Sequence, residues 1–209
     1  MQKTTAAPLI PPHPTLTTLK KAAAECHACD LWKTGTQTVF GEGNVHAGIL
    51  FIGEQPGDEE DRAGRPFVGP AGKLLDKALV EAGIDRKETY VTNVVKHFKW
   101  VPRGKRRIHE KPNAGEIGAC IPWLQAEISL LSPQVVVCLG ATASQAMLGR
   151  AFRVSQQHGQ FLNSPFASQP VVATIHPSAI LRAIDNEKRK SEMQRFVADL
   201  KKVAKTIRK

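Results

Sequence analysis

The stretch "GKRRIHEKP" (104–112) gathers four cations, Lys105, Arg106, Arg107 and Lys111, around one histidine, His109. Cations on a loop containing Gly and Pro can seat a phosphate. A neutral imidazole can instead be a nucleophile, and surrounding cations favour the neutral form because they oppose a further positive charge. A basic loop that merely stays hydrated is the third reading, and composition alone does not choose among them.

A second chemical group is the cysteines. Cys26 and Cys29 form Cys-x-x-Cys in "ECHACD", and Cys120 and Cys138 complete a set of four. In a reducing compartment such a set suggests a metal site before disulfides. The alternative is a few core thiols, which suits Cys138 inside an apolar run. Zinc on four thiolates and an iron–sulfur cluster both remain open. The wide separation of Cys120 and Cys138, unlike the tight second pair of a zinc ribbon, leans to the cluster.

These residues need a frame. Four short apolar runs, 48–53, 89–95, 134–140 and 170–175, are rich in Val and Ile with little alternation, as buried parallel strands are. Helical patterns separate them over 70–84, 113–132 and 141–148, with further helices over 16–25 and 187–207. The helix at 70–84 has Pro near its start and Gly near its end. Strands alternating with helices predict a three-layer α/β/α sandwich around a four-stranded, mostly parallel sheet. Ligands of such sheets bind beyond the carboxyl ends of the strands. Those ends read "GEQPGD" (53–58), "NVVKH" (93–97), "CLGAT" (138–142) and "IHPS" (175–178).

The 209 residues suffice for one domain with a sizeable core, and 42% of them are hydrophobic. The net charge of +10 points to a polyanionic partner, with nucleic acid first. Part of that charge lies in a basic tail, from Lys188 to Lys209. There Phe196, Leu200, Val203 and Ile207 recur at helical spacing, so the tail reads as an amphipathic helix with a solvated basic face. The segment 96–111 lacks periodicity and reads as a charged loop. Residues 1–14 read as a flexible Pro-rich leader and 15–209 as a single domain. No apolar run approaches a membrane span, and the start of the chain lacks a secretory pattern, so a cytoplasmic location is expected.

Three segments resemble the uracil-DNA glycosylase superfamily, in particular its iron–sulfur fourth family. "GEQPGDEEDRAGRPFVGPAGKLLD" is similar to the first motif and the segment after it, "TNVVKHFK" to the strand-end asparagine motif, and "HPSAILR" to the second motif. The similarity runs from about residue 16 to the end. Gln55, where the family usually has Ala or Gly, and "KRRIH", which the family lacks, mark the X-type subgroup (UdgX).

The resemblance implies a structural 4Fe-4S cluster on Cys26, Cys29, Cys120 and Cys138. It implies that the protein acts on uracil in DNA and stays covalently joined through His109; a preference for single strands and a monomeric state are further expectations that the resemblance does not itself supply. Chemistry adds the roles. The nucleotide must be flipped out or already unpaired, and Phe67 can stack on the base, worth about 1–3 kcal/mol. An amide at Asn93 can accept from uracil N3–H and donate to O4, a pattern cytosine reverses. Gly53 and Gln55 border the base, and Gln55 either contacts it or holds the loop. His176 donates to O2, and Glu54 supplies negative charge near C1′. Lys105, Arg106, Arg107 and Ser178 contact phosphate or brace the loop, with Arg107 suited to bonding inside the fold. Two rivals are a turnover glycosylase whose His109 only touches phosphate, and a non-catalytic nucleic-acid-binding module with a structural metal.

Overall fold

The computed structural model describes residues 5–207. A six-stranded sheet forms from β1 (Glu42–Gly43), β2 (Ile49–Gly53), β3 (Thr89–Asn93), β6 (Val135–Leu139), β7 (Phe161–Ser164) and β8 (Ala167–Thr174), in the order β1-β3-β2-β6-β8-β7. The inner four strands are parallel and are the four read from the sequence; β1 and β7 add an antiparallel strand at each edge. Two-residue β1 and the half-exposed β7 carry too little apolar signal to stand out beside buried strands.

Each inner strand is apolar on both faces because helices cover both. Leu50 and Ile52 of β2 pack with Trp123, Leu124 and Ile128 of α4 (Ala114–Leu131), and with α1 (Leu16–Ala24) and α5 (Gly140–Leu148). Ile49 and Phe51 point the other way, toward Leu75 and Leu79 of α3 (Pro70–Ala82) and Phe196 and Leu200 of α8 (Asn186–Ile207). The result is the expected three-layer sandwich. Asn113 caps α4 by accepting from the backbone N–H of Gly115 and Glu116, both at 2.9 Å. The short helices α2 (Asp58–Ala63), α6 (Val154–Gln157) and α7 (Pro177–Leu181) lie on the connections.

One expectation is corrected. Segment 96–111 is not simply a loop: β4 (Trp100–Arg103) and β5 (Arg106–His109) form an antiparallel hairpin, with Trp100 opposite His109. Gly104 takes φ +60° at the first position of the two-residue turn, where tight hairpins require glycine. The hairpin was hidden because both strands are mostly exposed and charged. Within residues 5–14, Ala6 is fully buried and its N–H donates to Ala119 O of α4 at 2.9 Å. Residues 1–4 of the leader, and Arg208 and Lys209 of the basic tail, lie outside the described residues.

Candidate active site

The chain passes from β2 to β3 on one side of the sheet, then crosses to β6 on the other, so β2 borders the point where strand order reverses. The carboxyl ends of β2, β3 and β8 deliver Glu54, Asn93 and His176 into one cavity of about 840 Å³, with Gly53 packed against Asn93 and Phe67. His109 reaches its rim from the hairpin. Four segments distant in sequence thus converge.

Glu54 and His109 meet directly, with Nε2 at 3.1 Å from Oε1. Thr142, on the first turn of α5, donates its hydroxyl to the other oxygen, Oε2. Burial pushes the Glu54 carboxyl up, but hydrogen bonds from His109 and Thr142 outweigh it and hold the pKa below 4.5. Glu54 is therefore a carboxylate at neutral pH, aimed by Thr142. What faces His109 Nε2 is this anion rather than one of the four cations of the stretch.

Asn93 is almost wholly buried, and its side-chain amide makes no hydrogen bond among the described residues. Both its donor and its acceptor remain for a ligand in the cavity. Gly53 makes room for this arrangement: a Cβ there would collide with Asn93 Oδ1 and come within 2.8 Å of the Phe67 ring. Phe67 forms part of the wall and holds φ +56°, a left-handed conformation unusual for an aromatic residue. The surroundings enforce it. Gly72 lets α3 approach the Phe67 carbonyl, which a Cβ would overlap. Glu60 accepts from Gly57 N–H at 3.1 Å and Gly69 N–H at 2.8 Å, tying the loop after β2 to the Phe67 loop.

His176 Nδ1 accepts the backbone N–H of Ser178 at 3.1 Å, and Ser178 Oγ lies 2.8 Å from the same nitrogen. Nδ1 is thus an acceptor, and the proton of the neutral ring sits on Nε2. Burial lowers the His176 pKa from 6.5 to about 4, against the pull of Glu54, so the ring is neutral at pH 7. A neutral ring with a fixed N–H is suited to donating toward a developing oxyanion. Ser178 orients His176.

The hairpin is tethered from below. The side-chain amide of Gln55 donates to Lys99 O and Glu110 O and accepts from Lys99 N–H, each at 3.1 Å. Those residues flank the Trp100–His109 pair, so Gln55 holds both strands at the end bearing His109. Its amide is turned to the hairpin, the second of the two roles open for it. Arg107 points into the fold, where its guanidinium bonds Asp58, Asp61 Oδ2 at 2.7 Å and Thr36 Oγ1 at 3.0 Å. Trp100 Nε1 donates to Thr34 O at 2.9 Å. Lys105 and Arg106 are exposed at the tip, and Lys111 lines the rim of the cavity.

A model of the uracil DNA glycosylase superfamily matches residues 40–201, a span that takes in the whole lining of the cavity. The chain belongs to this superfamily. It is 39% identical over 186 residues to the Type-4 uracil-DNA glycosylase of Thermotoga maritima, covering 88% of this chain and 91% of that one. It is 36% identical over 170 residues to the Type-4 uracil-DNA glycosylase of Pyrobaculum aerophilum, covering 78% and 83%. A Type-5 uracil-DNA glycosylase of the same organism is 28% identical over 184 residues, covering 80% and 77%.

For a superfamily member with Type-4 relatives, the thiols matter. Cys26, Cys29 and Cys120 are close enough that each of the first two raises the pKa of the Cys120 thiol, whose main shift comes from burial. Cys26 likewise acts on Cys29. Trp123 Nε1 donates to Cys26 Sγ at 3.3 Å, and Lys96 N–H to Cys120 Sγ at 3.2 Å. Such bonds suit sulfurs that carry negative charge in a cluster. Cys138 differs. It lies mid-strand in β6 between Ile52 and Ala173, and burial alone shifts its thiol. No three His, Cys, Asp or Glu side chains among the described residues converge as ligands of a single metal ion do. A cluster spreads its ligands over several irons, so three neighbouring thiols fit it better than they fit zinc.

Sequence reasoning missed Thr142, Glu60, Asp58 and Asp61. Thr142 had a signal, since it follows the carboxyl end of a predicted strand. The acidic residues had none, because "DEED" reads as a solvated helix face until Arg107 arrives from 46 residues away.

Proposed function

We propose that the protein excises uracil from DNA and captures the resulting sugar covalently on His109, once per molecule. The observation that carries this is the 3.1 Å contact between His109 Nε2 and Glu54 Oε1 beside an open base pocket. Uracil enters against Phe67, and Asn93 pairs with its N3–H and O4. A base with the reverse pattern leaves buried polar groups unpaired. Unpaired DNA is favoured because no flipping cost is incurred.

As the C1′–N1 bond breaks, its electron pair leaves with uracil, and His176 Nε2–H donates to the O2 that gains charge. The Glu54 carboxylate stabilises the sugar cation. The Nε2 proton of His109 passes to Glu54, and the freed Nε2 lone pair bonds to C1′. Net charge is conserved: uracil leaves as the anion, Glu54 is protonated, and the alkylated imidazole is neutral. A neutral imidazole is a poor leaving group, so the adduct persists. Lys105 and Arg106 meet flanking phosphates, while Arg107 and Gln55 keep the hairpin docked. A structural cluster on Cys26, Cys29 and Cys120 would join the segment after α1 to α4.

The test is one gel. Protein is incubated with a uracil-containing single-stranded oligonucleotide and run under denaturing, heated conditions. A shifted band in at most stoichiometric yield supports the proposal. Abasic product in molar excess over protein, without a shifted band, replaces it with turnover.

A further inference from the structure

On the reading that the protein acts on uracil in unpaired DNA, we propose that a groove between α4 and α5 holds a nucleotide beside the deoxyuridine on the same strand. Its base stacks on Phe166, and Lys111 and Arg150 meet the phosphates on either side of it.

The groove encloses about 440 Å³, which is room for one nucleotide. Its floor is apolar: Ile117 and Ile121 lie one turn apart on α4, and Ala146 faces them from α5. It adjoins the uracil cavity. Lys111 lines both hollows, and so does Thr142, whose hydroxyl donates to Glu54. The two hollows therefore meet at Thr142, and a strand leaving one can pass into the other.

Phe166 stands in the turn between β7 and β8 and is 42% exposed. Its backbone is fixed nonetheless. Ser164 Oγ accepts the Phe166 N–H at 3.1 Å and donates to Met147 O of α5 at 2.5 Å. An aromatic ring held at an apolar groove and left open offers a face on which any base can stack. Charge favours a nucleic-acid strand over an apolar peptide as the occupant. The charged residues of the lining are Lys111 and Arg150, and no carboxylate lines the groove. Glu116, on the same part of α4, is taken up by Asn113 N–H at 2.7 Å and by Lys99 Nζ at 3.2 Å. Neither Lys111 nor Arg150 has a carboxylate partner among the described residues, so both are available to phosphate. A cationic groove with an aromatic platform is how proteins hold single strands without reading their sequence.

The test uses the full chain, as wild type, Phe166→Ala and Arg150→Gln. Both side chains are exposed, so the fold should tolerate their loss, and circular dichroism checks it. The substrates are single-stranded oligonucleotides with one uracil, in which each of the two neighbours on either side is replaced in turn by an abasic spacer. Uracil release is followed in single turnover at sub-saturating protein. A spacer at one position, on one side only, should slow the wild type by about 5- to 150-fold, the worth of one stacked base. Phe166→Ala should slow the unmodified substrate by a similar factor and lose nothing further on that spacer, because ring and base form one contact. Arg150→Gln should reduce the slope of log rate against log salt by about 0.7, the share of one cation on a single strand. Equal rates on all spacer substrates would overturn the assignment and leave the groove to an apolar partner. Losses that multiply when Phe166→Ala meets the spacer would remove Phe166 as the platform, and an unchanged salt slope would remove Arg150 from the phosphate. Wild type that releases no uracil from any substrate sinks the functional reading and the groove with it; uracil release without a spacer penalty sinks the groove alone.

Discussion

Truncation of Arg107 separates the capture of the sugar from the release of uracil. Among the described residues the β4–β5 hairpin pairs with no third strand, and a two-stranded ribbon alone is marginal in water. Its position over the cavity depends on the Gln55 clamp, the Trp100 contact and Arg107. Asp61 is fully buried, so the charged hydrogen bond it accepts from Arg107 contributes about 1.5–3 kcal/mol. The Asp58 carboxylate is 39% exposed, and solvent reduces that contact to about 0–1 kcal/mol. Arg107→Ala therefore weakens docking by about 1.5–4 kcal/mol, or roughly 12- to 700-fold in the ratio of docked to undocked hairpin. Asp61 keeps the Thr36 N–H at 2.9 Å and the Thr36 hydroxyl, so the fold should survive. Under single-turnover conditions, adduct formation should slow by about tenfold or more, while uracil release, which uses Glu54, Asn93 and His176, changes less. Free abasic product should then accumulate. Arg107→Lys restores charge but not the fork and should rescue only in part. Adduct formation at the wild-type rate in a folded Arg107→Ala protein would refute the tether and the reasoning behind it.

Three further outcomes are expected. His109→Ser should form no adduct and should let water complete the reaction with turnover; a heat-stable shifted band from this variant removes His109 as the nucleophile. Gly53→Ala should retain the fold yet slow uracil excision at sub-saturating protein by about 100-fold or more, since the ~1–3 kcal/mol of stacking and the Asn93 contacts are lost together; a near-normal single-turnover rate would contradict the packing seen at Asn93 and Phe67. His176 has a folded pKa of about 4 against an ordinary 6.5, so the unfolded chain takes up a proton first. Its contribution is fully present above pH 6.5 and falls as pH drops toward 4, and ~1 kcal/mol lowers Tm by about 2–4 °C in a chain of this size. His176→Asn should flatten the melting profile in that window, and an unaltered slope would show that His176 is not held neutral.

The sequence determined the parts that depend on local pattern. Runs of Val and Ile without alternation mark strands covered on both faces, and the helices between them follow from apolar spacing and from the Pro and Gly that bound α3. The rule that ligands gather at strand ends marked four segments, and the resemblance to the family picked Glu54, Asn93 and His176 out of them. Tertiary structure decided what depends on partners far apart in the chain. The hairpin's strands are mostly exposed and charged, so no periodicity announces them, and their order comes from Gln55 and from Asp58 and Asp61. The tautomer of His176 is set by Ser178, the ionisation of Glu54 by Thr142 and His109, and neither can be read from residue type. The same holds for the cysteines: the four look like one set along the chain, but a thiol in mid-strand and three that lie near one another differ only once the chain has folded.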